Sequence, residues 1–170
     1  MLQSANWDPQ QQDPTGWWMS EKYDGVRAYW TGSKMVSRSG REIRLPDSIR
    51  ELMPSIALDG ELWVRRGMQQ DALVLLQSKN ELLWKNASFC VFDVPEVKKP
   101  FEERLEVLKN LTSNNFVKVI EFVKCSNKEH LQQFFKSVIE KGGEGVMLRE
   151  PESMYVAKRS NTLCKYKVSK

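Results

Sequence analysis

The chain has 170 residues, a net charge of +4, 41% hydrophobic and 28% charged residues, which are values typical of one globular domain. No apolar run approaches the roughly 20 residues that cross a bilayer, so we expect no membrane partner. The first twenty residues contain acids but no Lys or Arg, unlike a targeting leader, so we expect an intracellular location (cytoplasm, nucleoid or nucleus) unless a leader has been removed.

Residues 1–16 are rich in Gln, Asp and Pro and are predicted to be an irregular lead-in to a single domain at residues 17–170. Thr31–Ser33 has turn composition and predicts a hairpin between its flanking strands. The strands and helices expected in the first half of the chain are strands at Trp17–Lys22, Val26–Trp30, Met35–Ser39, Ile56–Val64 and Phe89–Val94, and helices at Pro46–Met53 and Gln69–Ser78.

The second half of the chain continues this mixture. Ser126 and Glu129 have the spacing of a capping box, which predicts a helix that starts there and ends at Gly142-Gly143. The other elements expected are a helix at Pro100–Leu111 and strands at Phe116–Val123, Glu144–Arg149 and Leu163–Val168. The fold class is therefore predicted to be α+β, with mainly antiparallel sheets flanked by helices. No sustained heptad pattern appears, so we expect a monomer.

Cysteine and histidine usage excludes several kinds of site. Cys90, Cys125 and Cys164 are far apart and odd in number, which favours buried reduced thiols over a disulfide framework or a zinc site. His130 is the only histidine, so a zinc hydrolase or a Ser-His-Asp enzyme would depend on it alone. A polar position on a helix face is its expected role.

The segment Glu21–Arg27 carries the clearest chemical signal. Lys22 leaves a predicted strand and is followed, after one residue, by an Asp-Gly turn. A lysine amine attacks phosphorus only after it has lost its proton, which a protein arranges through the surroundings of the side chain. By itself, however, the K-x-D-G spacing is also compatible with a surface lysine before a turn.

Four further segments complete a set of groups suited to phosphoryl-type transfer. Alternation places Asp59 and Glu61 on one face of a strand, and likewise Lys165 and Lys167 on one side of another. Phe92 offers an aromatic ring, and Glu144 a carboxylate beside glycines. Such transfers depend mostly on positioning and on charge neutralisation, which one lysine nucleophile, acids, cations and an aromatic platform could supply.

In order along the chain, K-Y-D-G-V-R, S-R-S-G, D-G-E-L-W, F-D-V-P, E-G-V-M-L-R and K-Y-K resemble the motifs of the covalent nucleotidyltransferases. That superfamily contains ATP-dependent DNA ligases, RNA ligases and mRNA capping enzymes, and the chain is most similar to the small, minimal bacterial DNA ligases. The resemblance covers residues from about 17 to the end. It implies an ATP-grasp-like DNA ligase nucleotidyltransferase (adenylation) domain that uses ATP with Mg²⁺ (or Mn²⁺) and acts on nicked duplex DNA.

The resemblance also implies roles for single residues. Lys22 would be the catalytic residue, and would form a lysyl-adenylate whose AMP passes to a 5′-phosphate at a nick for sealing by the 3′-hydroxyl. The residues implied to bind the nucleotide or the nick are Glu21, Arg27, Arg38, Glu61, Phe92, Lys165 and Lys167. Two carboxylates, Glu61 and Glu144, are implied to hold the metal.

Three points stay open at this stage. The motifs also fit an RNA ligase or a guanylyltransferase that caps RNA. A non-catalytic module that binds nucleotides or nicks is a third possibility. Family members normally continue into an OB-fold domain, which is absent from the 170 residues. Because that domain closes over ATP, we expect slow self-adenylation and poor nick sealing by this chain.

Overall fold

A computed structural model describes residues 1–78 and 80–167 and contains short helices and two sheets. The strands are β1 (Gln3–Asn6), β2 (Trp18–Glu21), β3 (Val26–Trp30), β4 (Met35–Ser37), β5 (Glu42–Ile43), β6 (Leu58–Trp63), β7 (Ser88–Asp93), β8 (Val117–Val119), β9 (Val123–Lys124), β10 (Gly145–Arg149) and β11 (Arg159–Lys167). The helices are α1 (Asp47–Arg50), α2 (Gln69–Leu75), α3 (Glu81–Trp84), α4 (Phe101–Lys109) and α5 (Lys128–Glu140).

The chain forms two compact units, and the domain expected from residue 17 onward contributes to both. The first unit comprises Met1–Tyr23, Lys98–Glu103 and, among described residues, 120–167. The second comprises Asp24–Val97 and Arg104–Val119. Most strand pairs in both sheets are antiparallel, which confirms the predicted α+β class. Val168, the last residue of a predicted strand, lies outside the described residues, as do Ser169 and Lys170.

The first unit is a five-stranded sheet in the order β1-β11-β10-β2-β9, with α5 packed on one face. Leu131 and Val138 of α5 are buried in one core cluster with Met19, Val146 and Leu148 of the sheet. These two buried residues are seven positions apart and so lie on the same face of the helix. This core fixes the positions of β2 and β10, and Lys22 and Glu144 lie at the ends of these two strands.

Two predictions for the first unit were wrong in detail. Residues 3–6 are not irregular, because β1 pairs in parallel with β11. The α5 N-cap is Asn127 rather than Ser126: the Asn127 side chain accepts a 2.8 Å hydrogen bond from the His130 backbone N–H. His130 Nδ1 lies 3.0 Å from both the backbone N and Oγ of Ser126, so the imidazole belongs to this helix start.

The second unit is a six-stranded sheet in the order β5-β4-β3-β6-β7-β8. Its core residues include Leu62, Trp84, Phe89 and Phe116, all at most 1% exposed. The strand predicted at Phe116–Val123 is divided between the units, since β8 pairs with β7 and β9 pairs with β2. Local apolar pattern could not show this division, because both pieces carry similar residues.

All three cysteines are free and buried, as the sequence predicted. Burial raises the pKa of the Cys125 and Cys164 thiols above the ordinary value. Within the two described stretches of chain, no helix is long and apolar enough to cross a membrane.

Candidate active site

Lys22 follows β2 directly and is held by the strand beside it. Its backbone N–H donates to the Gly145 carbonyl at 2.8 Å, which continues the β2–β10 pairing by one residue. Its Nζ lies 3.1 Å from Oε1 of Glu144, and the two side chains are 23% and 29% exposed. The lysine singled out by the sequence is thus an ion-paired, partly buried group at a strand end, rather than a freely solvated surface residue.

Lys167 joins the same carboxylate from the neighbouring strand. Its Nζ lies 3.7 Å from Glu144 Oε1, so two cations share one carboxylate oxygen. In the β10–β11 register, Lys167 pairs with Gly145 and Lys165 pairs with Met147. Paired residues of a sheet share a face, so both lysines project to the same side, as predicted. The result is a cluster of positive charge suited to phosphate groups.

Gly145 allows β10 and β11 to meet closely beside this cluster. A Cβ at this position would lie 2.4 Å from the Tyr166 carbonyl oxygen and 2.8 Å from Cβ of Lys167. Any larger residue would therefore displace the strand that carries Lys167. The glycine of the Glu-Gly pair is a packing requirement, and its effect is to bring Glu144 within reach of both lysines.

Glu21 lies on the other face of the sheet from this cluster. It pairs with Val146, which is buried toward α5, and its Oε2 would lie 3.2 Å from a Cβ on Gly143. Successive residues of a strand alternate in direction, so the side chains of Glu21 and Lys22 diverge. Its implied role in binding the nucleotide stays a prediction.

A second group of charges lies on one face of the second unit's sheet. Arg27 is opposite Glu61 in the β3–β6 register, and Asp59 lies two residues away on the same face. Arg27 donates through Nε to Asp59 Oδ1 at 2.7 Å and through Nη2 to Oδ2 at 2.6 Å. Its guanidinium carbon also lies 4.9 Å from the ring centroid of Phe92. Three residues that the sequence singled out are therefore joined in one contact network.

This network went beyond the sequence-based expectation. Arg27 was expected to contact the nucleotide or the nick, whereas its guanidinium is engaged by a carboxylate that is 0% exposed. The alternation of Asp59 and Glu61 was visible in the sequence, but their strand partners were not. The sequence did show that Arg27 lies on a predicted strand, but not that this strand pairs with the strand of Asp59 and Glu61.

Further acids surround this face. The pKa of Tyr29 is raised, first by burial and then by the negative charges of Glu96, Asp59 and Asp93. Asp93 itself forms a fully buried ion pair with Arg104, at 2.7 Å between Oδ1 and Nε. The aspartate of the F-D-V-P segment is thus committed to a contact inside the unit.

The Asp-Gly turn after Lys22 is fixed by backbone packing. A Cβ on Gly25 would lie only 2.0 Å from the Leu62 carbonyl oxygen. The Gln69 side-chain amide of α2 donates to the Gly25 carbonyl at 3.1 Å. Glycine is required here by close approach, not by an unusual backbone angle. The Asp-Gly sequence predicted the turn, but it gave no indication of the contact with Gln69.

Arg38 is exposed in the turn between β4 and β5. Among residues 1–78 and 80–167 it makes no hydrogen bond, ion pair or ring contact. Gly40, two residues later, has a φ of +87°, and its N–H donates to the Ser37 carbonyl at 2.9 Å. The turn therefore presents a positive charge to solvent.

The described parts of the chain contain no group of three or more His, Cys, Asp or Glu side chains that could enclose a metal ion. Glu144 lies in the first unit and Glu61 in the second. Mg²⁺ at phosphate-transfer sites is commonly held by one or two carboxylates together with substrate phosphates. A single carboxylate such as Glu144 therefore fits a metal that arrives with a nucleotide, and is not part of a closed protein cage within the described chain.

Comparison with known proteins gives concordant matches. The sequence model of the ATP-dependent DNA ligase domain family matches residues 4–167. A DNA ligase of Haemophilus influenzae is 35% identical over 158 residues, which cover 91% of this chain but 59% of that protein. The chain therefore spans about three-fifths of this relative's length.

Two solved structures agree with these matches. A structure from an analysis of DNA binding by Lig E DNA ligases has a TM-score of 0.89 and 32% identity, and covers 98% of this chain and 68% of that one. A Chlorella virus DNA ligase-adenylate has a TM-score of 0.80 and 25% identity, with 98% and 67% covered.

Proposed function

The chain belongs to the family of ATP-dependent DNA ligase domains, and we propose that it is the adenylation module of a DNA ligase in which Lys22 becomes covalently attached to AMP. One observation carries the proposal: Lys22 and Lys167 share a single carboxylate oxygen of Glu144, at 3.1 and 3.7 Å. This arrangement places a candidate nucleophile beside a second cation that can receive phosphate charge.

The first step is attack of Lys22 Nζ on the α-phosphorus of ATP. The amine must first lose a proton, and Glu144 Oε1, 3.1 Å away, is an acceptor within hydrogen-bond reach. The new N–P bond forms as the bond from phosphorus to the pyrophosphate oxygen breaks, and pyrophosphate carries away the electron pair. Lys165 and Lys167 stabilise the phosphate charge during this exchange.

The remaining nucleotide contacts are proposed from the resemblance. Phe92 would stack on adenine, Glu61 would bind ribose, and Arg38 would contact the ribose or the 5′-phosphate end. Glu21 and Arg27 would also contribute to binding of the nucleotide or the nick.

Glu144 and Glu61 are the residues proposed to hold Mg²⁺ or Mn²⁺. Such an ion would neutralise phosphate charge and help pyrophosphate to leave. The Glu144 carboxylate pairs with Lys22 and Lys167 in this structure, so an ion bound there would replace one of these contacts.

Two further transfers complete the proposed reaction. AMP passes from Lys22 to a 5′-phosphate at a nick in duplex DNA, which forms a pyrophosphate linkage to that end. The adjacent 3′-hydroxyl then attacks the activated phosphate and releases AMP. A monomeric state and an intracellular location remain part of the proposal on the sequence pattern alone.

Labelling with ATP that carries the label on its α-phosphate tests the first step. We expect label on the denatured chain with Mg²⁺, no label on Lys22→Ala, and undiminished label on Lys141→Ala. Lys141 is an exposed lysine of the same unit and controls for a simple loss of charge. A parallel GTP reaction identifies a guanylyltransferase, because that activity would label with GTP instead.

Label that persists on Lys22→Ala would overturn the assignment of the nucleophile. A chain that takes no label should be given pre-adenylated nicked DNA and no ATP. Sealing of that substrate would retain the ligase proposal for the last step, whereas binding without sealing would favour the non-catalytic module.

A further inference from the structure

The contact among Arg27, Asp59 and Phe92 is built more firmly than a surface ion pair. Both carboxylate oxygens of Asp59 accept from Arg27, at 2.7 and 2.6 Å, and the aspartate is 0% exposed. A bidentate arrangement fixes the plane of the guanidinium as well as its position. Asp59 therefore determines where the planar group of Arg27 lies.

The guanidinium is placed against an aromatic ring. Its central carbon lies 4.9 Å from the ring centroid of Phe92, within the range of a cation–π contact. Phe92 is only partly buried, so packing by the core does not enclose its ring on all sides. The Arg27 guanidinium therefore lies over one face of that ring.

We propose that Asp59 is a positioning residue for the ring of Phe92. Through Arg27 it holds a guanidinium against one face of the ring, and leaves the opposite face to stack on the adenine base. The inference deepens the proposed function, on which the adenine contact of Phe92 rests. It separates the two acids of the D-G-E segment: Asp59 acts through Arg27, whereas Glu61 is proposed to touch the ligand itself.

A resonance from the ring itself tests the positioning without any nucleotide. With 4-fluorophenylalanine at position 92, we expect Asp59→Asn to shift and broaden the ¹⁹F signal, because the guanidinium is no longer held by two bonds. Arg65→Gln is the matched control. Arg65 lies in the same unit and pairs with Asp71 at 3.2 Å, but both residues are exposed. A signal that Asp59→Asn leaves unchanged would overturn the proposal.

A double-mutant cycle tests the consequence for ATP. We expect Asp59→Asn to raise the ATP concentration for half-maximal labelling rate by about tenfold, with little change in the limiting rate. In a Phe92→Leu background the same change should have no further effect. A full tenfold loss that persists without the ring would show that Asp59 acts elsewhere, and would also overturn the proposal.

Arg27→Lys keeps the test decisive if Asp59→Asn does not fold. Lysine leaves a cation to pair with the buried Asp59 but cannot form the planar two-pronged contact. It should therefore shift the ¹⁹F signal as well. A wild-type chain that takes no label would count against the proposed function, while the ¹⁹F result would still decide the positioning.

Discussion

The two compact units carry charged clusters of opposite character. In the first unit, Lys22, Glu144 and Lys167 meet at 3.1 and 3.7 Å, and their side chains are 23%, 29% and 48% exposed. In the second, Asp59 and the Asp93–Arg104 pair are fully buried, with contacts of 2.6 to 2.7 Å. The first cluster is partly exposed and accessible to a ligand, whereas the second is buried and its charges pair with each other inside the unit.

The difference in burial predicts different roles for the two clusters. Partly exposed ion pairs contribute little to stability, so their charges are available to phosphates at small cost. In a buried pair, removal of one partner leaves an uncompensated charge in the protein interior, which strongly destabilises the fold. We therefore expect substitutions in the first cluster to change chemistry, and substitutions in the second to change stability or positioning.

The largest expected effect on stability comes from the buried pair. Asp93→Asn should lower the free energy of unfolding by about 3–5 kcal/mol, because it removes the negative charge opposite the buried Arg104. Glu144→Gln should cost under about 1 kcal/mol, yet lower the labelling rate by about 100-fold or more. Urea unfolding and α-phosphate labelling of both variants measure the two effects. Equal unfolding midpoints for the two variants would contradict the contrast.

A pair of glycines tests how tightly the backbone is packed in the second unit. Gly25→Ala should cost at least about 3 kcal/mol, since the new Cβ would meet the Leu62 carbonyl at 2.0 Å. Gly40→Ala is the control, because its φ is +87° but nothing lies within 4 Å. Its expected cost is about 1–2 kcal/mol, from backbone strain alone. Similar thermal unfolding of both variants would show that the Leu62 contact relaxes easily.

The smallest expected effect concerns the start of α5 in the first unit. Asn127→Ala should lower the free energy of unfolding by about 1 kcal/mol, because the N-cap acceptor for the His130 N–H is lost. Ser126→Ala should cost less, since Ser126 precedes the cap. Thermal unfolding of the two single variants decides the matter. A larger loss from Ser126→Ala would restore the capping box that the sequence suggested.

Much of the fold followed from local pattern. Val26–Trp30 forms a strand with the bounds that alternation predicted, and Lys165 and Lys167 share a face for the same reason. The end of α5 was also predictable from the Gly142-Gly143 pair: the helix ends at Glu140, and Gly142 has a φ of +88° with its N–H donating to the Ile139 carbonyl. These features depend on neighbours a few residues apart.

Contacts between distant segments were beyond such patterns. The polar strand β1 pairs with β11, which begins with Arg159 opposite Gln3, so the residues of β1 alone gave no signal for a strand. The division of the predicted Phe116–Val123 strand likewise depends on which partner each half meets.

Local sequence accounts for the ordered motifs and for most element positions, because periodicity and turn residues act over short distances. Tertiary structure alone decided which charges meet. Glu144 reaches Lys22 across 122 positions, and Asp59 reaches Arg27 across 32. Strand register sets both contacts, and register is a property of the whole sheet rather than of either segment.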